Sequence, residues 1–394
     1  MKIKPKHLRH PLRSVNSIRN LLRHHFEEKK FANQGKRYFS DDARYVPENV
    51  TAGFADRVEP ADNDTVLLNR ICDAYAKAVE QESFVSETYR ATEWWEQQRY
   101  GSLEPVRLAL SAFDVDALYR MYRNFYRDPC SAGLIAPQCA LNQYFSPKIR
   151  DVHRRFYLAD TLYRLDLWQV QTEDHFSLSD LAGPEIGNPF GLMVDNTLIR
   201  IGAEYQHYCA FRLGNLLSSG ASTVAEIGGG FGGMAYYLLR DHPQTTYLSF
   251  DVPESIALMS YYLIKAFPQL QFLLFGEKEL TAETIAQADV VLMPVFELTK
   301  MPPRSVDIIF SSHAMSNLSS RAVVEYLTHI THMGRNYFLD IGDDHHGESP
   351  LDLKIPPNAP LELAEVRASE WNRHRISHSQ EVERLYRITN QSNG

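Results

Sequence analysis

The 394-residue sequence is poor in features that define several classes of protein. It has four cysteines and no C-x-x-C pair, which argues against a disulfide framework or a structural zinc site and favours a reducing compartment. No apolar run approaches the roughly 18 residues of a membrane span, and the first residues lack the apolar stretch of a signal peptide. We therefore expect a cytoplasmic protein.

An excess of basic charge is also missing. The chain carries 41 Lys and Arg against 49 Asp and Glu, a net charge of −8, so we expect no nucleic-acid partner. The exception is a basic arm over residues 1–40, in which Leu8, Leu12 and other apolar residues up to Phe26 recur at helical spacing. Such a helix either contacts the inner face of the cell membrane or packs on the body of the protein.

The composition, with 44% hydrophobic and 23% charged residues, is that of a globular protein with room for two domains. After the arm, we predict a mainly helical region over 41–195 that supplies an acceptor pocket or an oligomer surface. Helical spacing within 65–180 supports it. The adjacent Trp94 and Trp95 could stack on a sugar ring, although core packing is the expectation. We predict a ligand-binding domain over 196–394, opening with a long helix at about 196–217.

From residue 222 to residue 342 short apolar runs alternate with helical patterns, which predicts a doubly wound, mostly parallel Rossmann-like α/β sheet. Two terminal strands, Leu361 to Ala368 and Glu383 to Ile388, are expected to close it as an antiparallel pair. The earlier strands are predicted at about 222–227, 245–250, 270–275, 289–294, 306–311 and 336–341. The helices are predicted at about 232–242, 254–267, 280–287 and 319–333.

A glycine motif follows the first of these strands. Gly228, Gly230 and Gly232 come just after Glu226 and open the next helix, and glycine permits a tight turn and a close approach of ligand to backbone. Gly228, Gly230 and Gly233 also fit the G-x-G-x-x-G fingerprint of dinucleotide-binding proteins, but a carboxylate beside the turn would repel a pyrophosphate. Glu226 suits the cationic S-adenosylmethionine (SAM) better. NAD(P), and a glycine turn without a ligand, remain as alternatives.

Asp251 ends the next predicted strand, 23 positions after Gly228. An acidic residue about 20 positions after the motif binds the ribose hydroxyls of nucleoside cofactors, so Asp251 fits SAM and NAD(P) alike. It could instead cap the following helix.

Several stretches resemble the bacterial putative sugar O-methyltransferases, a branch of the SAM-dependent enzymes. The resemblance covers roughly residues 100–390. This sequence differs from the family pattern at Asn317, where an acidic residue is expected, and the resemblance implies that this position contacts the acceptor. It implies a SAM-dependent transfer of a methyl group to a sugar hydroxyl, in a nucleotide sugar or a glycan of polysaccharide biosynthesis. It rests on Glu226 to Gly233, Phe250 to Glu254, Asp289 to Leu298, Asp307 to Ser316, Tyr122 to Arg127 and Glu204 to Tyr208.

Methylation of a hydroxyl benefits from a general base at a strand end. His313, three residues past an apolar strand, is the first candidate, and Asp340, at the end of the next strand, is the second. Phe296 and Glu297 are expected to contact the adenine. Either the acceptor or the methionine end of SAM is expected to contact Glu204 and His207.

A divalent metal is a further alternative, because residues 340–346 bring several Asp and His donors together. A solvated surface loop is the expected interpretation of that run, so we predict no metal. Alternatives to sugar methylation are another small-molecule acceptor such as a polyketide or phenol, an NAD(P) oxidoreductase, and a non-catalytic scaffold of a glycan-assembly complex. A homo-oligomer is a further expectation.

Overall fold

The computed structural model describes residues 26–58, 64–136, 138–145, 150–342, 355, 359–372 and 381–389. The predicted apolar stripe of the basic arm lies outside these residues, apart from Phe26, which is exposed. In the described part of the chain, no helix combines the length and the apolar character that crossing a membrane requires.

The first half of the described chain is mainly helical, and helices also flank the strands of the second half. The helices are α1 (26–38), α2 (Pro47–Gly53), α3 (Thr65–Glu82), α4 (Glu93–Arg99), α5 (Glu104–Ala112), α6 (Val115–Tyr122), α7 (Gln138–Tyr144), α8 (Asp151–Gln171), α9 (Ala203–Gly214), α10 (Gly233–Asp241), α11 (Pro253–Ala266), α12 (Ala282–Ala286) and α13 (Ser320–Met333).

The strands form a small hairpin and one large sheet. They are β1 (Gly191–Val194), β2 (Thr197–Arg200), β3 (Ser222–Ile227), β4 (Thr245–Asp251), β5 (Phe272–Leu274), β6 (Val290–Pro294), β7 (Val306–Ser312), β8 (Gly334–Gly342), β9 (Leu361–Ala368) and β10 (Val382–Ile388). The predicted strands from 222 onward are thereby confirmed to within two residues at each end.

The large sheet has eight strands in the order β5-β6-β4-β3-β7-β8-β10-β9. Strands β3 to β8 run parallel, and β10 runs antiparallel to both β8 and β9. The fold is therefore doubly wound and mostly parallel with a terminal antiparallel pair, as the alternation of apolar runs predicts. Strands β4 to β6 lie on one side of β3, and the chain then crosses to the other side, where it forms β7 and β8. This reversal of strand order is a topological switch point, and folds of this kind bind ligands there, at the carboxyl ends of β3, β4 and β7.

Both faces of the sheet are covered, as the apolar strands require. Val224 of β3 belongs to a buried cluster that also takes in α10, α11 and much of the helical first half, whereas its neighbour Ala225 joins a second cluster with α13. The first cluster runs from Phe39 to Leu385. The predicted regions 41–195 and 196–394 thus share one core, and their boundary stays a prediction.

The helix predicted at about 196–217 is wrong over residues 196–202. Residues 191–200 form the β1–β2 hairpin, in which Val194 pairs with Thr197 around a two-residue turn. Asp195 and Asn196 both have positive φ, 48° and 63°, the conformation that such a turn requires and that these residue types tolerate. Only Ala203–Gly214 is helical there, because Gly202, at φ 77°, sets its start.

Candidate active site

A cavity of about 390 Å³ opens at the carboxyl ends of β3, β4 and β7. Its floor is the turn after β3, and one wall is the residues that follow β4 and β7. The opposite wall comes from the helical first half and includes Trp94, Trp95 and Leu134. Its size and position are those of a small-molecule site in an open α/β sheet.

The turn after β3 places Gly228 and Gly230 in the cavity wall with φ of 82° and 61°. The Gly228 N–H donates to the Phe250 carbonyl at 2.9 Å, which ties the turn to β4. A Cβ on Gly228 would lie 2.3 Å from the Cβ of Ala314, so the close approach of the β7 loop requires glycine. Gly232, with φ of 89°, begins α10 and packs on Met259 and Leu263, not on the described cavity lining.

Glu226 lines the cavity from the end of β3 and is 3% exposed. Its Oε2 accepts a hydrogen bond from the hydroxyl of Tyr247. Burial raises the pKa of Glu226 to about 7, although that hydrogen bond acts to lower it. A cationic ligand in the cavity would favour the charged form.

Asp251 organises the glycine turn from the end of β4. Its Oδ2 accepts the Gly230 N–H at 2.9 Å, and its Oδ1 accepts the Val252 N–H at 2.7 Å. Burial raises its pKa to about 7, against the opposing effect of these two backbone donors. Asp251 lines the cavity, so its remaining lone pairs can accept from ligand hydroxyls.

His313 lies where β7 ends and lines the same cavity. Its backbone has a positive φ of 61°, and its N–H donates to the Ile341 carbonyl at 2.7 Å. A non-glycine residue in this left-handed region is uncommon and marks a fixed, sharply turned loop. The imidazole is 37% exposed, and its Nε2 lies 3.7 Å from the Oε2 of Glu381.

Two other predicted residues near β7 and β8 contribute differently. Asp340 is buried within β8, opposite Ser311 in the register, and it is absent from the described lining of the cavity. Its location therefore does not support a role as the general base. Asn317 ends a short 3₁₀ turn, and its side chain lies outside the part of the chain that is described.

The residues expected to contact adenine lie beside the cavity instead of in it. Phe296 packs edge-on against Phe275, and buried Glu297 pairs with Lys300 at 2.7 Å. Val295, one residue earlier, lines the cavity. Strand β6 ends at Pro294, as predicted, and the residue directly after it faces the cavity in place of Phe296 and Glu297.

Glu204 and His207 on α9 also lie away from the cavity. Glu204 is ion-paired with Arg164, and His207 sits between the rings of Trp168 and Phe176, 1% exposed. Burial lowers the pKa of His207 to about 4, which keeps it neutral. Helical geometry explains the miss, because Tyr205 and Gln206 between them turn toward the cavity.

Tyr205 and Gln206 are site residues that the sequence reasoning missed. The Tyr205 hydroxyl hydrogen-bonds Ser312 at 2.7 Å, which joins α9 to the end of β7. The Gln206 amide covers the N-terminus of α10, where a Cβ on Gly233 would meet it at 2.4 Å. The Gln206 amide and the N-terminus of α10 suit a ligand carboxylate.

Core packing is confirmed for Trp95, which is partly buried against the main core, but it is wrong for Trp94. Trp94 is 46% exposed and lies at the cavity wall, with its ring edge-on to Trp95 at 4.9 Å between centroids. It rests on Gly133, where a Cβ would meet the ring at 2.6 Å. Its short helix α4 is held in place by Arg99. The Arg99 guanidinium pairs at 3.0 Å with Glu254, which lies in the first turn of α11, three residues after Asp251.

The run at 340–346 considered as an alternative metal site lies outside the described residues from 343 onward, so that only Asp340 of its donors is described. Among the residues that are described, no group of three or more His, Cys, Asp or Glu could hold a metal ion.

No protein-family model matches this sequence, and no curated protein matches it. Solved structures do. A putative sarcosine dimethylglycine methyltransferase from Galdieria sulphuraria is 12% identical, with 58% of this chain and 99% of that chain covered at a TM-score of 0.37. A SAM-dependent methyltransferase from Aquifex aeolicus is 14% identical, with 45% and 88% covered at 0.30.

A third similar structure is magnesium protoporphyrin IX methyltransferase from Synechocystis PCC 6803 with bound SAM, 10% identical, with 47% and 77% covered at a TM-score of 0.32. Likenesses this distant do not decide an activity or a substrate. The class is defined by this chain's own residues: a doubly wound α/β protein with a ligand cavity at its switch point, two buried carboxylates and a histidine.

Proposed function

We propose that this protein is a SAM-dependent O-methyltransferase that acts on a sugar hydroxyl. The observation that carries the proposal is the position of Glu226 and Asp251, two buried carboxylates in the wall of one cavity beside a glycine turn. Negative charge beside the turn favours a cationic ligand and opposes a pyrophosphate.

The residues present fit SAM. Gly228 and Gly230 leave backbone exposed in the cavity, Asp251 can accept from ribose hydroxyls, and Glu226 can face the ammonium of the methionine end. Val295, which lines the cavity, is the residue proposed to contact the adenine in place of Phe296. When bound, SAM supplies an activated methyl carbon, to which an acceptor oxygen bonds as the carbon–sulfur bond breaks and leaves its electron pair on sulfur.

His313 is the residue proposed to take the hydroxyl proton. It lines the cavity at the end of β7, and an imidazole nitrogen can accept a proton from a hydroxyl within hydrogen-bond reach. A positioned base of this kind contributes about 10²–10⁴ to the rate. The fixed left-handed backbone holds the ring toward the cavity while Tyr205 and Ser312 close the same wall.

Calorimetric titration with S-adenosylhomocysteine (SAH) and, separately, with NADH tests the cofactor. We expect tight SAH binding that weakens at least tenfold in Asp251→Ala. Asp289→Ala is the matched control, because that carboxylate also accepts a backbone N–H (Gln271, 2.8 Å) but precedes β6, at the opposite edge of the sheet. Binding of NADH alone would replace the transferase proposal with hydride chemistry, and binding of neither would favour a scaffold.

The proposal that the acceptor is a sugar rests on the motif resemblance, and other small molecules are alternative acceptors. Turnover of nucleotide sugars and glycans, measured against a polyketide and a phenol panel, separates these acceptors. His313→Ala should lower turnover on the best acceptor by about a hundredfold or more, and unchanged turnover would remove His313 as the base.

We also propose that the helical region supplies the acceptor wall, to which Trp94 and Trp95 belong. A peripheral membrane location and a homo-oligomer remain proposals. Deletion of residues 1–37 should release the protein from pelleted anionic liposomes if the basic arm holds it there. Unchanged sedimentation would dispose of the membrane contact.

A further inference from the structure

We infer that Glu381 is a positioning residue that orients His313 and stabilises its protonated ring. The inference deepens the proposed function, because it assumes that His313 takes the acceptor proton. The contact between these two residues follows from the geometry of the sheet, not from the sequence motifs. Glu381 lies 68 positions after His313 and belongs to none of those motifs.

The antiparallel strand β10 explains why the two residues meet. The parallel strands β7 and β8 end together at the cavity, where Ser312 pairs with Ile341. Strand β10 runs the other way, and its first residue, Val382, pairs with Gly342. Glu381 therefore enters the sheet at the carboxyl edge of β8, beside the point where His313 leaves β7.

The Glu381 side chain is held in place from several directions. It is fully buried, its Oε1 accepts a hydrogen bond from the Ser369 hydroxyl, and its Oε2 accepts from the Asn372 amide at 2.9 Å. The Ser369 N–H also donates to the Glu381 carbonyl at 2.8 Å, which fixes the backbone. Donors on both carboxylate oxygens fix the orientation of the Glu381 side chain.

The same Oε2 lies 3.7 Å from the Nε2 of His313. A carboxylate at this distance favours the imidazolium that forms when the ring takes a proton, and it restricts the rotation of the ring. The Tyr205 ring lies 6.2 Å from the His313 ring, and its hydroxyl is bonded to Ser312. Glu381 thus places a carboxylate beside the His313 ring, and Tyr205 places an uncharged aromatic ring beside it. The proton moves from the acceptor hydroxyl to the imidazole and later to solvent, while Glu381 stays ionised.

The test is the pKa of His313, measured by NMR of ring-labelled histidine in the ligand-free protein and assigned with His313→Gln. We expect Glu381→Gln to lower that pKa by roughly one unit, since an adjacent opposite charge shifts a pKa by about 1–3 units and partial exposure reduces the effect. Glu383→Gln is the matched control. Its carboxylate is also buried, two residues further along, but is bonded by Tyr208 at 2.7 Å.

An unchanged His313 pKa in Glu381→Gln would overturn the inference, and so would an equal shift in Glu383→Gln. A second measurement covers the case in which Glu381→Gln does not fold. In the parent protein the Glu381 carboxyl carbon should show a step in chemical shift at the pKa of His313, and His313→Gln should abolish it. Absence of that step also overturns the inference.

The outcome is separable from that of the cofactor proposal, because neither NMR titration requires SAH. If SAH binds but the two groups are uncoupled, the transferase proposal survives without Glu381. With an acceptor in hand, Glu381→Gln should lower kcat about tenfold or more at unchanged SAH affinity, and the acid limb of its pH profile should move with the His313 pKa.

Discussion

Glu226 and Asp251 illustrate at the residue scale how burial converts ordinary carboxylates into groups that titrate near neutrality. Both line the cavity, and desolvation raises both pKa values to about 7. A cationic ligand reverses that effect, because it favours the charged carboxylates. Ligand binding is thereby coupled to the release of protons.

The coupling predicts that SAH affinity increases with pH. A carboxyl with a pKa near 7 is about one-tenth ionised at pH 6 and nine-tenths ionised at pH 8, so the association constant should rise roughly tenfold across this range for one coupled group. Glu226→Gln, which keeps a partner for Tyr247, should reduce that slope. The exposed Glu279→Gln is the control, and an equal slope in all three proteins would contradict the coupling.

Gly228 supports a second prediction at this scale. Gly228→Ala forces a Cβ to 2.3 Å from Ala314 at a φ of 82°, so it should lower the free energy of unfolding by about 1–3 kcal/mol and weaken SAH binding at least tenfold. Gly220→Ala is the control, because no atom lies within 4 Å of its Cβ position. Urea denaturation and calorimetry measure both effects. Equal stability in the two variants would show that the turn tolerates a side chain.

At the scale of elements, Arg99 fixes the cavity wall that carries the tryptophans. Its guanidinium joins α4 to Glu82 of α3 at 2.9 Å and to Glu254 of α11 at 3.0 Å, and these three side chains are buried. The Tyr75 hydroxyl also donates to Glu254 at 3.3 Å. Three helices are thus held together beside the carboxyl end of β4, where Asp251 lies.

This network predicts unequal effects of two similar substitutions. Glu254→Gln removes a buried partner of Arg99 and should cost about 3 kcal/mol of unfolding free energy, because it leaves charge poorly compensated in the interior. Glu96→Gln removes the partner at 3.1 Å that is 41% exposed, and it should cost less than about 1 kcal/mol. Denaturant unfolding measures both, and equal costs would mean that burial does not decide the strength of these pairs.

At the scale of the whole molecule, aromatic contacts tie the helical first half to the sheet. The Tyr122 ring lies 5.2 Å from that of Tyr261, and Tyr126 lies 5.6 Å from Phe231, beside the glycine turn. The buried Arg200 donates from its guanidinium to the hydroxyls of Tyr126 and Tyr262, at 3.3 and 2.8 Å. Separation of the two regions would expose this surface.

We therefore predict that the full chain unfolds in one transition, with coincident curves from tryptophan fluorescence and far-ultraviolet circular dichroism. A fragment of residues 196–394 should lack a cooperative melt, because it exposes Phe231, Tyr261 and Tyr262. The full chain, treated in the same way, is the control. Two separated transitions, or a cooperative fragment, would instead establish an independent domain.

The sequence by itself determined the strands from Ser222 onward, the antiparallel closure and the positions of Gly228, Gly230, Asp251 and His313 at the site. These are local properties: apolar runs predict buried strands, and glycines and acidic residues at their ends predict where the turns fall. The same local logic failed at 196–202, where the hairpin turn at Asp195 and Asn196 delays the start of the helix.

Only the tertiary structure decided which side chains converge. Glu381 meets His313 because an antiparallel strand returns to the carboxyl edge of the sheet, and Trp94 reaches the cavity because Arg99 anchors its helix. His207 and Phe296, by contrast, lie in sequence beside cavity residues but point into the core. Contacts between residues far apart in the chain depend on strand order and helix packing, and no short motif records them.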